Sequence, residues 1–397
     1  MRIGFLTPEF VTENYFSGGL AHYLYRVSRS LVSLGHEVHV ITLSEIDCAD
    51  FEYDGIHVHR ITREVKGGWL NRLTRNKVRA TITCLALSYR FYGKLKRLHR
   101  QVPFDIVQYS NYNFCGLFAS LLLSVPSMVR ISSYSPVWHQ KLGAKPTLDA
   151  RMIELLERLQ LRLSRHVYAP SYTLKHMVEE GANITNVEVI RTPCYVETTN
   201  LDSSVYDTYL NNKTYLLFFG RFQLHKGFHI LAQALPQVLN AHPDCTAVLV
   251  GLDLETPLAS SMKEYALSLC EKHEERLVFI SQIPHTQLYP IIKGARLVVL
   301  PSLIDNFPNT CLEAMALAKP VVGTRGASFE ELIVEGKTGF LVPAGEVDAL
   351  ADKINEVWIH PRLGEIGQEA RRRVQDFSPE HTIQRLLDYS DTVLQGN

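Results

Sequence analysis

The sequence lacks several features that would assign it to a common functional class. Its seven cysteines are scattered without a C-x-x-C pair, which argues against a disulfide framework or a zinc site and fits a reducing compartment. The 41 basic and 41 acidic side chains balance, so no overall attraction to nucleic acid is expected. No signal peptide precedes the first predicted strand, and no apolar run is long enough to span a bilayer, so we expect a cytoplasmic protein.

The chain consists of two halves in which apolar strands alternate with helical patterns. A chain of 397 residues is too long for one ordinary core, so two domains of about 200 residues are expected. The alternation in each half is typical of an α/β fold with a doubly wound parallel sheet. We predict domains at 1–196 and 214–376, a polar linker at 197–213, and a terminal helix within 377–397 that packs back on the first domain.

The most informative stretch is Leu300–Thr324, which reads LPSLIDNFPNTCLEAMALAKPVVGT. It predicts the end of a buried strand, a loop, and a helix with Asn309 as its N-cap. Pro308 disfavours helical geometry at the preceding residue, so Asp305 lies on the loop, while Glu313 lies about one turn into the helix. Two carboxylates would then flank a helix amino end, where free N–H groups attract anions. This suits a ligand with a central diphosphate and hydroxyl-bearing groups on both sides, such as a nucleotide sugar, although acids that only cap a helix are an alternative.

A second loop brings cations to the same predicted sheet edge. In GRFQLHKG, Arg221 and Lys226 lie between Gly220 and Gly227, directly after the first strand of the second half. A planar guanidinium and a compact ammonium can together neutralise a diphosphate. Loops that follow parallel strands share one edge of the sheet, so both loops can face one crevice. Two unrelated surface cations are the alternative interpretation.

The first half gives weaker signals. It contains no G-x-G-x-x-G fingerprint, so a nicotinamide cofactor is not favoured. Gly18 and Gly19 precede a helix and would let backbone N–H groups approach a phosphate, although an ordinary loop pair of glycines fits equally. A polar loop after a predicted strand is a candidate acceptor wall, and the acceptor-side candidates are Ser132, Ser133, His139 and His22.

The segment 66–100 is basic and amphipathic. It contains ten Lys or Arg residues and no acid, and its apolar residues recur at roughly helical spacing. Such a helix can lie on an anionic membrane, which would add peripheral contact with the inner face of the membrane to a cytoplasmic location. The alternative is the solvated face of a helix that packs on the core.

Together these motifs resemble the retaining glycosyltransferases of family 4, and in particular transferases of bacterial polysaccharide biosynthesis. The matching motifs are Gly18-Gly19, the Gly220–Gly227 loop, Pro301-Ser302, the D-x7-E pair of Asp305 and Glu313, and the GKTGFLV segment that begins at Gly336. The resemblance implies the GT-B fold, in which two Rossmann-like domains face each other across a cleft.

The resemblance also implies a role for each site residue. Arg221 and Lys226 would bind the donor diphosphate and stabilise its charge in place of a metal ion, since no D-x-D motif is present, and no cofactor is expected. Glu313 would hold the ribose hydroxyls and Asp305 would lie near the donor sugar, which completes a catalytic group of four. The remaining donor contacts would come from Gly18, Gly19, Gly220, Ile283, Asn306, Phe307, Pro308, Asn309 and Thr310.

Two positions depart from the family pattern. Asp305 stands where a Glu is usual, and Ser132 and Ser133 stand where many relatives place a His. The predicted function is retaining, metal-independent hexosyl transfer from a nucleotide sugar, UDP-linked before GDP-linked, to a saccharide or lipid-linked acceptor, with no nucleic acid partner. The alternatives are a nucleotide-sugar epimerase, a phosphorylase of the same architecture, and a non-catalytic nucleotide-sugar binding protein.

Overall fold

The chain forms two compact units in a computed structural model that describes residues 1–13, 19–65, 77–136 and 146–396. The first unit combines Met1–Pro193 with Pro379–Asn397, and the second is Cys194–Ser378. Among the helices described in these ranges, none is both long and apolar enough to cross a bilayer.

The first unit is built on an eight-stranded sheet. Its strands are β1 (Arg2–Thr7), β2 (Glu37–Ser44), β3 (Asp50–Tyr53), β4 (Ile56–Thr62), β5 (Ile106–Ser110), β6 (Ser127–Arg130), β7 (Val167–Ala169) and β8 (Val187–Val189). The order is β3-β4-β2-β1-β5-β6-β7-β8, and each pair of neighbours is parallel except β3 and β4. The apolar pattern of residues 54–61 predicts a single strand there, but this is wrong: Asp54 and Gly55 both have positive φ and form the turn of a β3–β4 hairpin.

Helices cover both faces of this sheet. They are α1 (Gly19–Ser33), α2 (Arg79–Gln101), α3 (Leu117–Leu122), α4 (Leu148–Leu163) and α5 (Tyr172–Ala182). Successive residues of a strand point to opposite faces, and here both faces are apolar: Phe5 and Val40 belong to one buried cluster, while Leu6 and Ile41 belong to the other. The first unit is therefore a doubly wound α/β domain.

The second unit repeats this plan with a six-stranded, fully parallel sheet. Its strands are β9 (Thr214–Phe219), β10 (Cys245–Val250), β11 (Leu277–Ile280), β12 (Leu297–Leu300), β13 (Val321–Thr324) and β14 (Phe340–Val342). Its helices are α6 (Ser204–Tyr209), α7 (Phe228–Ala241), α8 (Met262–Leu269), α9 (His285–Gly294), α10 (Asn309–Ala316), α11 (Val347–Trp358) and α12 (Leu363–Val374). The predicted doubly wound architecture is confirmed in both units.

The strand order of the second sheet determines where a ligand can enter. The order is β11-β10-β9-β12-β13-β14, so the chain continues from β9 to β10 on one side and later returns to β12 on the other. The carboxyl ends of β9 and β12 therefore lie beside each other at a topological switch point. Open α/β sheets bind ligands in the crevice at this point.

Two terminal segments complete the units. The segment 197–213, interpreted from sequence as a linker, belongs to the second unit: it contains α6, buries Leu210, and donates a hydrogen bond from Asp202 N–H to the Thr286 carbonyl (3.1 Å). The segment is mostly polar, so its sequence does not predict the few apolar contacts that attach it to the second unit. The last helix, α13 (Pro379–Gln395), belongs to the first unit, where Leu386 joins the cluster beneath β1 and β2.

Candidate functional site

The loops that follow β9 and β12 are joined backbone to backbone. The carbonyl of His225 accepts hydrogen bonds from the N–H groups of Leu303 (2.8 Å) and Ile304 (3.3 Å). Gly227 permits this approach, because its φ is +67° and a Cβ at this position would lie 1.7 Å from the carbonyl oxygen of Pro301. The two loops predicted to share a crevice are therefore in direct contact.

An ion pair crosses the same junction. The Lys226 Nζ lies 2.6 Å from Oδ2 of Asp305, and the carboxylate is largely buried while the ammonium is partly exposed. Arg221 is exposed, and within the described residues its guanidinium has no acidic partner. The sequence assigned separate ligand contacts to Lys226 and Asp305 and did not anticipate that they bind each other.

The electrostatics of His225 show that these charges lie close together. Burial and the nearby Lys226 and Arg221 cations together lower the pKa of its imidazole to about 4, and the Asp305 carboxylate opposes this shift. His225 is therefore neutral at pH 7. Its ring lies within electrostatic reach of both cations proposed to bind a diphosphate.

The amino end of α10 differs slightly from the expectation. Pro308, rather than Asn309, occupies the N-cap position, and its carbonyl accepts from the N–H groups of Cys311 (3.0 Å) and Leu312 (3.2 Å). Asn309 is already helical because the extended Pro308 ends the loop one residue earlier. In the described part of the chain, no acceptor is found for the N–H groups of Asn309 and Thr310. This is the arrangement that attracts an anion to a helix amino end.

Glu313 lies on α10 with its carboxylate nearly buried. Its Oε1 is 3.5 Å from Nε2 of His285, the first residue of α9, whose ring packs edge-on against Tyr289. Sequence reasoning missed His285, although a signal was present: it follows Ile283 in the loop after β11, at the same edge of the sheet. The side chain of Ile283 packs against the apolar core, so only its backbone can face a ligand.

Other predicted donor residues serve the loop itself. The Phe307 side chain is buried and packs against Phe377 with 5.8 Å between ring centroids, so any ligand contact must come from its backbone. The carbonyl of Asp305 accepts a hydrogen bond from Ser328 Oγ (3.1 Å), and the carbonyl of Ser302 accepts one from Thr324 Oγ1. The Ser328 and Thr324 side chains thus fix the loop after β12, and no sequence motif marks either residue.

In the first unit, the predicted acceptor wall is a hydrogen-bonded network. The amide of Asn111 accepts from the Ser132 N–H (2.7 Å) and donates to the Ser133 carbonyl (2.6 Å), while Arg130 donates to the Ser132 hydroxyl (3.1 Å). The Ser133 hydroxyl is buried and has no hydrogen-bond partner in the described part of the chain. Ser132 thus supports the loop after β6, which makes it a weaker candidate for direct acceptor contact.

A cavity opens near this network, at the carboxyl ends of β1, β2, β4 and β5. Its volume is about 560 Å³, and its lining includes Glu9, Arg63, Arg79, Tyr112 and Asn113. Because Asp149 also lines it, the cavity combines two cations, two carboxylates, an aromatic ring and an amide, which can hold a hydroxylated ligand.

The remaining first-unit candidates are placed as follows. Gly19 is the first residue of α1, with open space around the position of a Cβ, and His22 lies half-buried on the same helix. Gly18 and His139 lie outside the described residues, as does the 66–76 part of the basic segment.

A histidine cluster lies at the other end of the first sheet, near the amino ends of β2 and β4. Glu37, His39 and His57 offer ligand atoms within 4.8 Å of one another, and they are the group among the described residues that could hold a metal ion. His39 already contacts the Glu37 carboxylate (2.9 Å) and His59 (3.0 Å), and His59 contacts Asp50 (3.1 Å). This cluster is separate from the loops described above and takes no part in the candidate site.

Comparison with known proteins identifies the family. Residues 208–375 match the sequence profile described as "Glycosyl transferases group 1", and residues 17–198 match the one described as "Glycosyltransferase Family 4". The chain belongs to glycosyltransferase family 4. This confirms the resemblance that the strand-end motifs indicated.

Individual relatives agree with this family 4 assignment. The lipopolysaccharide core biosynthesis mannosyltransferase LpcC of Rhizobium leguminosarum is 31% identical over 181 residues, which are 45% of this chain and 51% of the relative. Among the first curated relatives, the matched segment spans only 37–51% of the relative's own length.

Solved structures extend the likeness of this family 4 chain to its whole length. Sucrose-phosphate synthase from Thermosynechococcus elongatus matches with a TM-score of 0.80 and 20% identity, covering 100% of both chains. Anabaena HepE in complex with UDP-glucose matches with a TM-score of 0.72 and 20% identity, covering 99% of this chain and 100% of the other. At this identity the likeness shows the fold, which is GT-B.

Proposed function

We propose that this family 4 protein is a retaining glycosyltransferase that moves a sugar from a nucleotide diphosphate sugar to a hydroxyl of an acceptor, without a metal ion. The observation that carries the proposal is the junction of the loops after β9 and β12. It brings Arg221, Lys226 and the amino end of α10 to the switch point of one sheet. All three are donors suited to a diphosphate.

The chemistry follows from where charge develops. As the bond between the sugar and the diphosphate breaks, negative charge grows on the leaving phosphate. Lys226, Arg221 and the N–H groups of Asn309 and Thr310 would stabilise this charge more strongly in the transition state than in the bound donor, which lowers the barrier. Asp305 holds the Lys226 ammonium at the junction, so the cation is already oriented before the donor binds.

The nucleoside would bind on the other side of the diphosphate. The nearly buried carboxylate of Glu313 can accept hydrogen bonds from two ribose hydroxyls, and His285 beside it orients the carboxylate. A UDP-sugar is the favoured donor, followed by a GDP-sugar. UDP-glucose is the ligand named for the HepE structure, which supports the first choice.

The acceptor would be a saccharide or a lipid-linked saccharide. The relative LpcC is named for lipopolysaccharide core biosynthesis, which supports an acceptor of this class. The first-unit cavity lined by Arg63, Arg79 and Tyr112 is the proposed acceptor pocket.

The test begins with donor binding and ends with turnover. A thermal-shift panel of UDP-, GDP-, ADP- and dTDP-sugars identifies the donor, because a ligand of the native state raises the melting temperature. With that donor, Lys226→Ala should lower turnover by about 10²–10³-fold, the typical effect of removing one preorganised donor of this kind. The matched control is Lys353→Ala, since Lys353 is similarly exposed and pairs with Glu356 at 2.7 Å.

Several results would contradict the proposal. Wild-type turnover in Lys226→Ala would show that this cation of the junction does not take part in catalysis. Conversion of the donor without any acceptor would instead indicate an epimerase, and a requirement for inorganic phosphate would indicate a phosphorylase. Product with an inverted anomeric configuration by NMR would exclude the retaining mechanism.

A further inference from the structure

Helix α4 turns its apolar side outward. Leu148, Met152, Leu155, Leu159 and Leu163 follow one another at helical spacing along the whole 16-residue helix, and each is between 36% and 56% exposed. We call these five residues the outer stripe. The buried side chains of the same helix are Glu157, Gln160 and Leu161, two of which are polar. The usual arrangement of a surface helix is the reverse.

Polar contacts explain why the helix cannot turn its leucines inward. The Glu157 carboxylate accepts hydrogen bonds from the Asn113 N–H (3.2 Å) and the Ser135 hydroxyl (3.0 Å), and Gln160 donates to the Ser110 carbonyl (3.3 Å). Rotation of α4 would leave these buried groups without partners, which typically costs about 1–3 kcal/mol for each group. The outer stripe is therefore a fixed feature of the first unit.

Neighbouring helices also expose apolar side chains. Helix α3, which packs against α4, exposes Leu121 and Leu122 at about half of their area. On α2, the exposed Tyr89 packs edge-on against Phe118 of α3, with 5.6 Å between ring centroids. Single exposed apolar residues need no explanation, but five along one face of a single helix mark an interaction surface.

The charges beside the stripe indicate what covers it. Along α4, which the structure describes completely, the exposed charged side chains are Arg151 and Arg162, while Asp149, Glu154 and Arg158 are partly buried; the exposed Arg165 lies two residues beyond the helix. Leucines flanked by arginines match an anionic lipid surface, where the leucines enter the acyl boundary and the guanidinium groups meet the headgroups. A second copy fits less well, because antiparallel two-fold pairing of α4 would oppose the arginines of the two copies.

We propose that the outer stripe of α4 docks the first unit on an anionic lipid bilayer. This surface differs from the basic segment 66–100 considered from sequence. In the described part of that segment, Lys94 is bound to Asp50 (2.6 Å) and Arg90 donates to the carbonyls of Thr62 and Glu64. The docking goes beyond the proposed transferase activity and does not depend on the identity of the donor.

The test is vesicle flotation of the full-length protein. Vesicles of phosphatidylcholine alone are compared with vesicles that also contain phosphatidylglycerol. Leu155→Gln combined with Leu159→Gln should weaken binding at least about tenfold, because it removes apolar area while keeping good helix formers. The matched control is Leu34→Gln combined with Ile46→Gln, two residues of the same unit that lie outside the stripe and are at least as exposed as Leu155 and Leu159.

A charge series then locates the contact. Arg151→Gln combined with Arg165→Gln should weaken binding to phosphatidylglycerol vesicles by about fivefold for each cation and reduce its salt dependence. Arg97→Gln combined with Arg100→Gln, which changes exposed cations of the basic segment, should have a smaller effect. A larger effect of the second pair would overturn the assignment to α4.

Two further outcomes would also refute the proposal. One is the absence of binding to either vesicle type. The other is a dimer, detected by light scattering, that the stripe variant converts to a monomer, since the stripe would then be an interface between copies. Circular dichroism and urea midpoints of each variant show whether the fold survives.

Discussion

Replacement of Gly227 by alanine tests whether the junction of the two strand-end loops matters for function. Gly227 has a φ of +67°, and an added Cβ would lie 1.7 Å from the Pro301 carbonyl oxygen. Gly336 is a natural control in the same unit, because its φ is +69° and nothing lies within 4 Å of the position of its Cβ. Both variants introduce the same backbone strain, but only Gly227→Ala introduces a collision.

The structure sets the size of the expected difference. Left-handed backbone costs about 1–2 kcal/mol for alanine in either variant. In Gly227→Ala the Cβ must also move about 1.3 Å from the Pro301 oxygen to reach a tolerable 3.0 Å. That movement strains the bonds from Leu303 and Ile304 to the His225 carbonyl, each worth about 1 kcal/mol. We expect Gly227→Ala to lose about 3 kcal/mol of unfolding free energy and Gly336→Ala about half of that.

Activity should separate the two variants more clearly than stability does. A misplacement of about 1 Å in a catalytic site can lower the rate by about 100-fold. The assays are urea unfolding of both variants, donor affinity by calorimetry, and initial rates at saturating acceptor. If Gly227→Ala matches Gly336→Ala in unfolding free energy, donor affinity and rate, the junction does not position the donor-binding groups and the proposed site is wrong.

Two further predictions concern the first unit. Burial lowers the pKa of His39 and lowers that of His59 to about 4. As the pH falls below 6.5, both side chains therefore take up protons in the unfolded chain before they do so in the folded chain. The free energy of unfolding should fall between pH 6.5 and 4, by at most about 1.4 kcal/mol per pH unit for each histidine. His59→Gln should flatten the plot of urea midpoint against pH between pH 6.5 and 4. An unchanged slope would show that His59 does not cause the loss of stability. Asp149→Asn should lower the free energy of unfolding at pH 7, measured by urea unfolding, by about 1–2 kcal/mol. The reason is that the Asp149 carboxylate on α4 accepts hydrogen bonds from both the N–H and the hydroxyl of Thr81 at the start of α2. Asp348→Asn, at an exposed helix start, is the control and should cost less than about 0.5 kcal/mol.

Local sequence signals predicted most of the fold. Apolar runs predict strands at 277–280 and 297–300, and helical periodicity predicts helices at 347–358 and about 363–374; β11, β12, α11 and α12 occupy these residues. Ser171 caps α5 as expected, by accepting the Leu174 N–H. The β3–β4 hairpin was missed, although Asp-Gly is a strong signal for a two-residue turn. The Asp54-Gly55 dipeptide is therefore a better guide to this turn than the apolar pattern around it.

The candidate site was predicted in part, for a different reason. The strand-end position of Arg221 and Asp305 follows from the sequence, since parallel strands share a carboxyl edge. The pairing of Lys226 with Asp305 and of His285 with Glu313 does not follow, because each pair joins elements far apart in the chain. Strand order brings them together, and periodicity does not determine strand order.

Helix α4 shows a further limit of sequence patterns. The pattern at 148–163 predicts an amphipathic helix, which the structure confirms, but surface helices usually bury their apolar face and α4 does not. Periodicity gives the angle between polar and apolar faces but not which face is buried. Contacts of Glu157 and Gln160 with loops elsewhere in the unit decide that orientation.

The geometry of the junction is set mainly by the backbone. The carbonyl of His225, the absent side chain of Gly227 and the carbonyl of Pro301 fix how closely the two loops approach, whatever side chains the loops carry. A backbone frame of this kind can accept a different acid. Asp305 is one methylene shorter than the Glu usual in the family, yet its carboxylate reaches the Lys226 ammonium at 2.6 Å. The shorter acid therefore still pairs with the cation, and under the proposed function its missing methylene would leave more space for the donor sugar.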